Sequence, residues 1–328
     1  MFKLFRVPIL ITVSTLVLTF IFGGITAAIT VAILGVLEIS FSFDNAIVNA
    51  KILKRMNTRW QQLFLTVGIL IAVFGMRLVF PLVIVAIAAH INPLAALSMA
   101  VTSPTEYTHH IIEAHPAIAA FGGMFLLMLF LDWLLGDKDI LWLAPIESRL
   151  ILMGRVKNMS VTIALVVLVM SSVVFGHIEM VLIAGCLGLI TYLLVSSIDS
   201  FFNEGKVESI AKAGLATFLY LEILDASFSF DGVVGAFAVT NDIFLIAIGL
   251  GIGAMFIRGM TVYLTRQGTL SEYRYLEHGA HWAIGALAIL LLITIKFDIP
   301  DVITGLIGIG FISIAFVNSV AVNRKENK

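Results

Sequence analysis

Apolar residues fill ten long stretches of this chain, which short polar segments separate. The stretches cover residues 7–22, 25–50, 61–89, 116–136, 159–176, 179–198, 211–238, 242–265, 280–297 and 301–321. Most approach or exceed the roughly 20 residues that a helix needs to cross a bilayer. They show no alternation of apolar and polar positions with a period of two, which disfavours a barrel of strands. The pattern therefore predicts an all-α integral membrane protein with about ten transmembrane helices.

The composition agrees with a lipid environment. Hydrophobic residues make up 60% of the 328 residues and charged residues 12%, with a mean hydropathy of +1.07, so most of the surface cannot face water. The net charge of -1 gives no general attraction to nucleic acid. Cys186 is the only cysteine, which excludes an internal disulfide and a cysteine-based metal cluster. We expect one transmembrane domain over residues 1–328, with the bilayer as its partner and no nucleic acid.

Lysine and arginine are distributed unevenly between the two sides of the predicted bundle. All 20 lie in alternate loops on one side, except Lys296 on the other side and Arg77 and Arg258 within spans. Because cytoplasmic loops carry the excess of these residues, we expect a multi-pass protein of the cell (inner) membrane with both termini in the cytoplasm. Lys3 and Arg6 before the first stretch also fit a secretory signal, but that stretch is long for one and leads directly into another span.

The two halves of the chain repeat one another. Ser-Phe-Ser-Phe-Asp occurs at 40–44 and again at 227–231, and the glycine and arginine nine residues apart at Gly68 and Arg77 recur at Gly249 and Arg258. A third block pairs Glu106, Tyr107, His115 and Asp132 with Glu272, Tyr273, His281 and Asp298 at one constant offset. Repeat one covers about 7–176 and repeat two about 179–321. Five spans in each half invert the second half, and inverted repeats are typical of secondary transporters.

Each motif places carboxylates deep in the predicted bilayer. A charged group there costs at least about 2.5 kcal/mol, so such residues usually face a cavity and serve a function. The oxygen-bearing candidates for a metal site are Glu38, Ser42, Asp44, Asn45, Asp225, Ser229 and Asp231. Hard divalent cations such as Mn²⁺ prefer these ligands. With Glu222, five carboxylates stand against Arg77 and Arg258, which leaves three negative charges. Alternatively, the two arginines pair with the acids simply to hold helices together.

Several further residues are secondary candidates. His115 and His281 open matching helices, where interfacial or capping roles compete with proton handling. Asp132 near a span end either lines a mouth of the pathway or extends towards the interface. Ser40 is expected to bond its own helix backbone, and the glycines at 249, 251 and 253 are expected to permit close helix packing rather than to bind a nucleotide.

The motifs carry a family resemblance. SFSFDN at 40–45 and SFSFDG at 227–232, each preceded by an acidic residue in a membrane helix, resemble the TerC family of integral membrane proteins. That family is associated with tellurium resistance and, in several members, with manganese efflux. The resemblance implicates Glu38, Asp44, Asn45, Asp225 and Asp231. Gly232 departs from the asparagine of many family motifs, and residues 98–115 are predicted to form a longer polar loop than a minimal member needs.

The leading hypothesis is a transporter rather than an enzyme. It would export a divalent cation, most simply Mn²⁺, by alternating access in exchange for protons, and it would need no prosthetic cofactor. HExxH, GxSxG and Walker motifs are missing from the sequence, which disfavours hydrolytic or ATP-driven chemistry. The alternative is a membrane scaffold of a metal or tellurite stress-response complex that docks soluble proteins and has no transport activity. Further copies of the chain or stress-response proteins are the expected protein partners. An intramembrane hydrolase ranks last.

Overall fold

The computed structural model describes residues 2–54, 56–175, 178–203, 210–267 and 272–326, and the side chains of residues 227–231, which include Ser229 and Asp231, lie outside this description. Every regular element within these ranges is a helix. They are α1 Phe2–Phe41, α2 Phe43–Leu53, α3 Thr58–Leu70, a π-helical segment Ile71–Val79, α4 Phe80–Ala88, α5 Pro93–Thr102, α6 Pro104–Leu135, α7 Ala144–Gly154, α8 Met159–Phe175, α9 Ile178–Asn203, α10 Ile210–Val239, α11 Ile243–Gln267, α12 Leu276–Thr294 and α13 Asp301–Glu326. The all-α prediction is confirmed.

Seven helical stretches among the described residues are long and apolar enough to cross a membrane. They are Phe5–Ser40, Thr58–Ile87, Pro104–Leu135, Ile178–Ser197, Ile243–Arg266, Leu276–Thr294 and Ile303–Arg324. Helices α7 and α8, bent by 99° at their junction, raise the number to eight if they form one span. The chain is therefore a multi-pass membrane protein, with fewer clearly apolar spans than the ten predicted.

Two features explain most of this difference. The first two predicted spans form one helical run, in which Gly24 makes a kink with φ 75° and ψ -175°, a conformation that only glycine adopts readily. Helix α10 has 30 residues, enough to span a bilayer, but the side chains of residues 227–231 in its central part lie outside the description, so this helix is not among the seven.

The prediction of a long polar loop at residues 98–115 is wrong. Helix α5 starts after Asn92, whose side chain accepts a hydrogen bond from the backbone N–H of Ala95 at 2.8 Å, and proline occupies its first position. Helix α6 likewise begins at Pro104. Proline is favoured at the first position of a helix, because its ring fixes a helical φ and its missing N–H would be unpaired there. The polar residues of this segment lie on helices.

The chain forms two compact units, each assembled from both halves of the sequence. The first unit consists of Met1–His115 and Thr217–Arg266, and the second of Pro116–Ala216 and Gln267–Lys328. In the first unit, α11 packs closely on α1: a Cβ at Gly249 would lie 2.6 Å from Leu34 Cβ, and one at Gly253 would overlap the side chain of Glu38. The prediction that the α11 glycines permit close packing is confirmed.

The second unit contains a fully buried glutamate, Glu147, at the start of α7. Its Oε1 accepts a hydrogen bond from Trp282 Nε1 at 3.3 Å and lies 3.2 Å from His278 Nδ1, while its Oε2 accepts from the backbone N–H of Trp142 at 3.0 Å. The donors surrounding this carboxylate offset the cost of burying it. Glu147 therefore ties α7 to α12 within this unit.

Candidate cation site

The first motif lies where two helices of the first unit meet. Helix α1 ends at Phe41 and α2 begins at Phe43, with Ser42 between them at φ -98° and ψ 16°. Backbone hydrogen bonds nevertheless continue, from Ser42 N to Glu38 O at 3.0 Å and from Ala46 N to Ser42 O at 3.2 Å. These two carbonyls are therefore already bonded, and the Ser42 hydroxyl donates to Glu38 Oε1 at 3.0 Å.

Arg77 pairs with the acid of the first motif. The Glu38 and Arg77 side chains are both 2% exposed, and Arg77 Nη2 donates to Glu38 Oε1. Arg77 Nη1 also donates to the carbonyl of Ala72 at 2.7 Å, within the π-helical segment. Such segments are rare and are frequently found at functional sites. The local widening of this helix therefore coincides with a buried ion pair.

Arg258 of α11 forms a larger network with two acidic residues of α10. Its Nη1 and Nη2 donate to the two carboxylate oxygens of Glu222, both at 2.9 Å, and Nη2 also donates to Asp225 Oδ2 at 3.0 Å. Nη1 bonds the carbonyl of Phe64 at 3.0 Å, and the guanidinium carbon lies 4.1 Å from the centre of the Phe64 ring. A fork-shaped guanidinium suits this two-oxygen contact. Arg258 therefore holds two acids of α10 at once.

The two networks meet through Asn45. Its Nδ2 donates to Asp225 Oδ1 at 2.7 Å, so the first motif contacts the acid that precedes the second. The pairs also correspond across the repeat, because Arg77 contacts Glu38 just as Arg258 contacts Asp225. This agreement supports the repeat read from the sequence, whereas its inversion stays a prediction.

One carboxylate and two amide side chains of α2 remain outside these ion pairs. Asp44 is 4% exposed, and its Oδ1 accepts from the backbone N–H of Asn45 at 2.9 Å. Among the residues that the structure describes, Asp44 has no cationic partner. Within the described part of the chain, Asn45 Oδ1 and Asn49 Oδ1 are buried without a hydrogen-bond partner. Leaving a buried acceptor unpaired costs about 1–3 kcal/mol, and a bound cation would remove that cost.

Asn49 was not among the predicted site residues. It is 1% exposed and lies four residues after Asn45, so the two amides share a face of α2. The available signal was an amide at helical spacing from the motif in an otherwise apolar run. Asn49 therefore adds a candidate oxygen ligand one helical turn after Asn45.

Gly232 explains part of the asymmetry between the two motifs. A Cβ at this position would lie 3.3 Å from Glu38 Oε2, whereas the equivalent position of the first motif carries Asn45. A larger residue at Gly232 would crowd the second oxygen of Glu38. The glycine therefore leaves room around a carboxylate that already bonds Arg77 and Ser42 through Oε1.

Of the secondary candidates, Glu222, Arg77 and Arg258 belong to the ion-pair network described above. Asp132 and His281 belong to the second unit, where Asp132 is exposed and accepts from Tyr192 OH at 2.7 Å. The ring of His281 stacks on Trp133 with centres 4.5 Å apart, and its Nδ1 lies 2.8 Å from Glu277 O. His115 is half-buried at the end of the N-terminal segment of the first unit. Ser229 and Asp231 lie outside the described side chains.

A family model described as a protein of unknown function, DUF475, matches residues 43–326. The chain belongs to the DUF475 family. This match includes Asp44, Asn45 and the whole second motif, whereas Glu38 precedes it. Comparisons of the DUF475 chain with curated proteins and with solved structures gave no match. The resemblance to the TerC family stays a prediction that rests on the motifs.

Proposed function

We propose that this multi-pass membrane protein transports a divalent metal cation through the buried polar cluster of the first unit. This cluster consists of Glu38, Asp44, Asn45, Asn49, Arg77, Glu222, Asp225 and Arg258. The observation that supports this proposal most directly is the excess of acceptors in α2: among the residues described, Asp44 has no cationic partner, and one oxygen each of Asn45 and Asn49 is unpaired. Carboxylate and amide oxygens are ligands of hard cations, and Mn²⁺ is the substrate that we propose.

The charges of the cluster suit a divalent ion. Glu38, Asp44, Glu222 and Asp225 are buried together with Arg77 and Arg258, so two negative charges remain among the described side chains. A buried net charge is costly, and an ion of charge +2 would neutralise it. Arg77 and Arg258 would compensate the other carboxylates when the ion leaves.

The proposed transport cycle couples the ion to the hydrogen bonds of Asn45. Because its Nδ2 bonds Asp225, an ion bound at Asn45 Oδ1 would act on the Arg258 network through one amide. Alternating access would expose the site to the cytoplasm and then to the outside, giving export. Protons taken up by released carboxylates would provide the exchange.

A scaffold without transport activity is the second candidate, and the Arg258 network favours it. Both oxygens of Glu222 and both oxygens of Asp225 already have donors, as expected of groups that only hold helices together. This role leaves no function for the unpaired oxygens of α2. A soluble stress-response protein that copurifies with the chain would be the expected partner.

Metal uptake into inverted membrane vesicles separates the two candidates. With a pH gradient, wild-type vesicles should accumulate Mn²⁺, and Asp44→Asn should lose this uptake while still inserting in the membrane. Ser40→Ala is the matched control. Within the described residues, the Ser40 hydroxyl donates only to the carbonyl of Val36 in its own helix, at 2.8 Å. Equal uptake by wild type and Asp44→Asn would refute the proposed site.

A further inference from the structure

Two histidines and a glutamate converge near the beginning of α6. His109 Nδ1 lies 3.5 Å from Glu113 Oε1, and His110 Nδ1 lies 3.1 Å from Glu113 Oε2. The side chains of His109, His110 and Glu113 are 71%, 22% and 56% exposed. This group has no part in the proposed transport site, whose ligands are buried oxygens.

Helical geometry brings these three side chains together. Glu113 follows His109 by four residues and His110 by three, and residues at these spacings are neighbours on a helix surface. The carboxylate therefore lies between the two imidazoles. One ligand atom from each residue lies within 4.8 Å of the other two.

These distances are close to what a tetrahedral ion requires. Zinc binds histidine nitrogen and carboxylate oxygen at about 2.0–2.2 Å, so its ligand atoms lie roughly 3.3–3.6 Å from one another. The contacts of His109 and His110, at 3.5 and 3.1 Å, are near this range but reach different oxygens of Glu113, so one imidazole has to move for both to share an ion. Rotations of the exposed side chains of His109 and Glu113 would complete the arrangement.

We infer that His109, His110 and Glu113 form a surface site for a borderline divalent transition-metal ion of the Zn²⁺ class. Imidazole ligands suit Zn²⁺, Co²⁺ and Ni²⁺, whereas Mg²⁺ and Mn²⁺ favour oxygen ligands. Three protein ligands leave a fourth position for water, as in exchangeable zinc sites. The competing explanation is a solvated pair of His–Glu contacts that binds no metal.

Metal titration of the full-length protein in lipid nanodiscs, after chelator treatment, tests this site. Wild-type protein should bind one more Zn²⁺ per chain than the double variant His109→Asn, His110→Asn, and should show Co²⁺ absorption bands that the variant lacks. His90→Asn is the matched control, because His90 is also exposed and its φ of 53° suits asparagine. Equal stoichiometry in wild type and the double variant would overturn the inference.

A footprinting experiment on the wild type makes the test independent of folding of the variant. Zn²⁺ at 100 times its Kd should slow carbethoxylation of His109 and His110 about 100-fold, by occupancy alone, and leave His90 unchanged. Undiminished modification of His109 and His110 at saturating Zn²⁺ would overturn the inference. Asp44→Asn should retain this ion, so a failure of the transport proposal and a failure of this one are distinguishable.

Discussion

Replacing Gly68 with alanine should disrupt the Arg258 network although no charged residue is replaced. A Cβ at Gly68 would overlap Arg258 Nη1 and lie 2.5 Å from Glu222 Oε1. Both terminal nitrogens of Arg258 are already bonded, to Glu222, Asp225 and the carbonyl of Phe64, so the guanidinium cannot move aside without losing partners. The methyl group should therefore separate a buried ion pair.

The magnitude follows from two opposing effects. Breaking a buried pair costs about 3–5 kcal/mol, whereas alanine is favoured over glycine in a helix by about 1 kcal/mol. The net loss should be about 2–4 kcal/mol, which corresponds to a fall of roughly 5 °C or more in the unfolding midpoint. Thermal unfolding followed by size-exclusion chromatography in detergent measures this change.

Gly310→Ala provides the matched control. A Cβ at Gly310 meets nothing within 4 Å, so the same substitution should keep or slightly raise the unfolding midpoint. A Gly68→Ala protein that unfolds at the wild-type temperature would refute the reasoning, since it would mean that the Arg258 pair does not contribute to stability.

Four further substitutions, at three positions, test other contacts. Asn49→Leu keeps the branching of the side chain but removes the unpaired oxygen, so Mn²⁺ uptake into vesicles should fall; unchanged uptake would exclude Asn49 from the site. Arg258→Lys should cost about 2–3 kcal/mol in thermal unfolding because lysine cannot contact both Glu222 oxygens, and Arg258→Met should cost more. Glu147→Ala should lower the midpoint by several degrees and shift the tryptophan emission, because Trp282 Nε1 loses its acceptor; an unaltered spectrum would contradict that contact.

The sequence predicted the helices but not the contacts between the motif residues. Hydrophobic run length identified helical spans, and the repeated motif brought attention to Glu38, Asp44, Asn45 and Asp225, which the structure places in one unit. The spacing could not show which acid each arginine bonds. That choice depends on the packing of helices far apart in the chain.

The kink in α1, the helices at residues 98–115 and the role of Asn49 were not predicted, because each depends on local backbone geometry or on burial. The kink at Gly24 depends on a single φ, which a hydropathy pattern does not reveal. Residues 98–115 contain polar residues typical of loops, yet Asn92 and Pro104 provide favourable helix starts. Asn49 resembled an ordinary polar residue until its burial and its unpaired oxygen were known.

The pairing of Glu38 with Arg77 and of Asp225 with Arg258 has a consequence for membrane insertion during synthesis. The two residues of each pair are only 39 and 33 positions apart in the chain, so each acid and its counter-ion belong to the same helical hairpin. The ribosome therefore delivers each charge to the bilayer together with its neutralising partner, which lowers the barrier to inserting the hairpin. The bond between Asn45 and Asp225 spans 180 residues and can form only after both hairpins have entered the membrane.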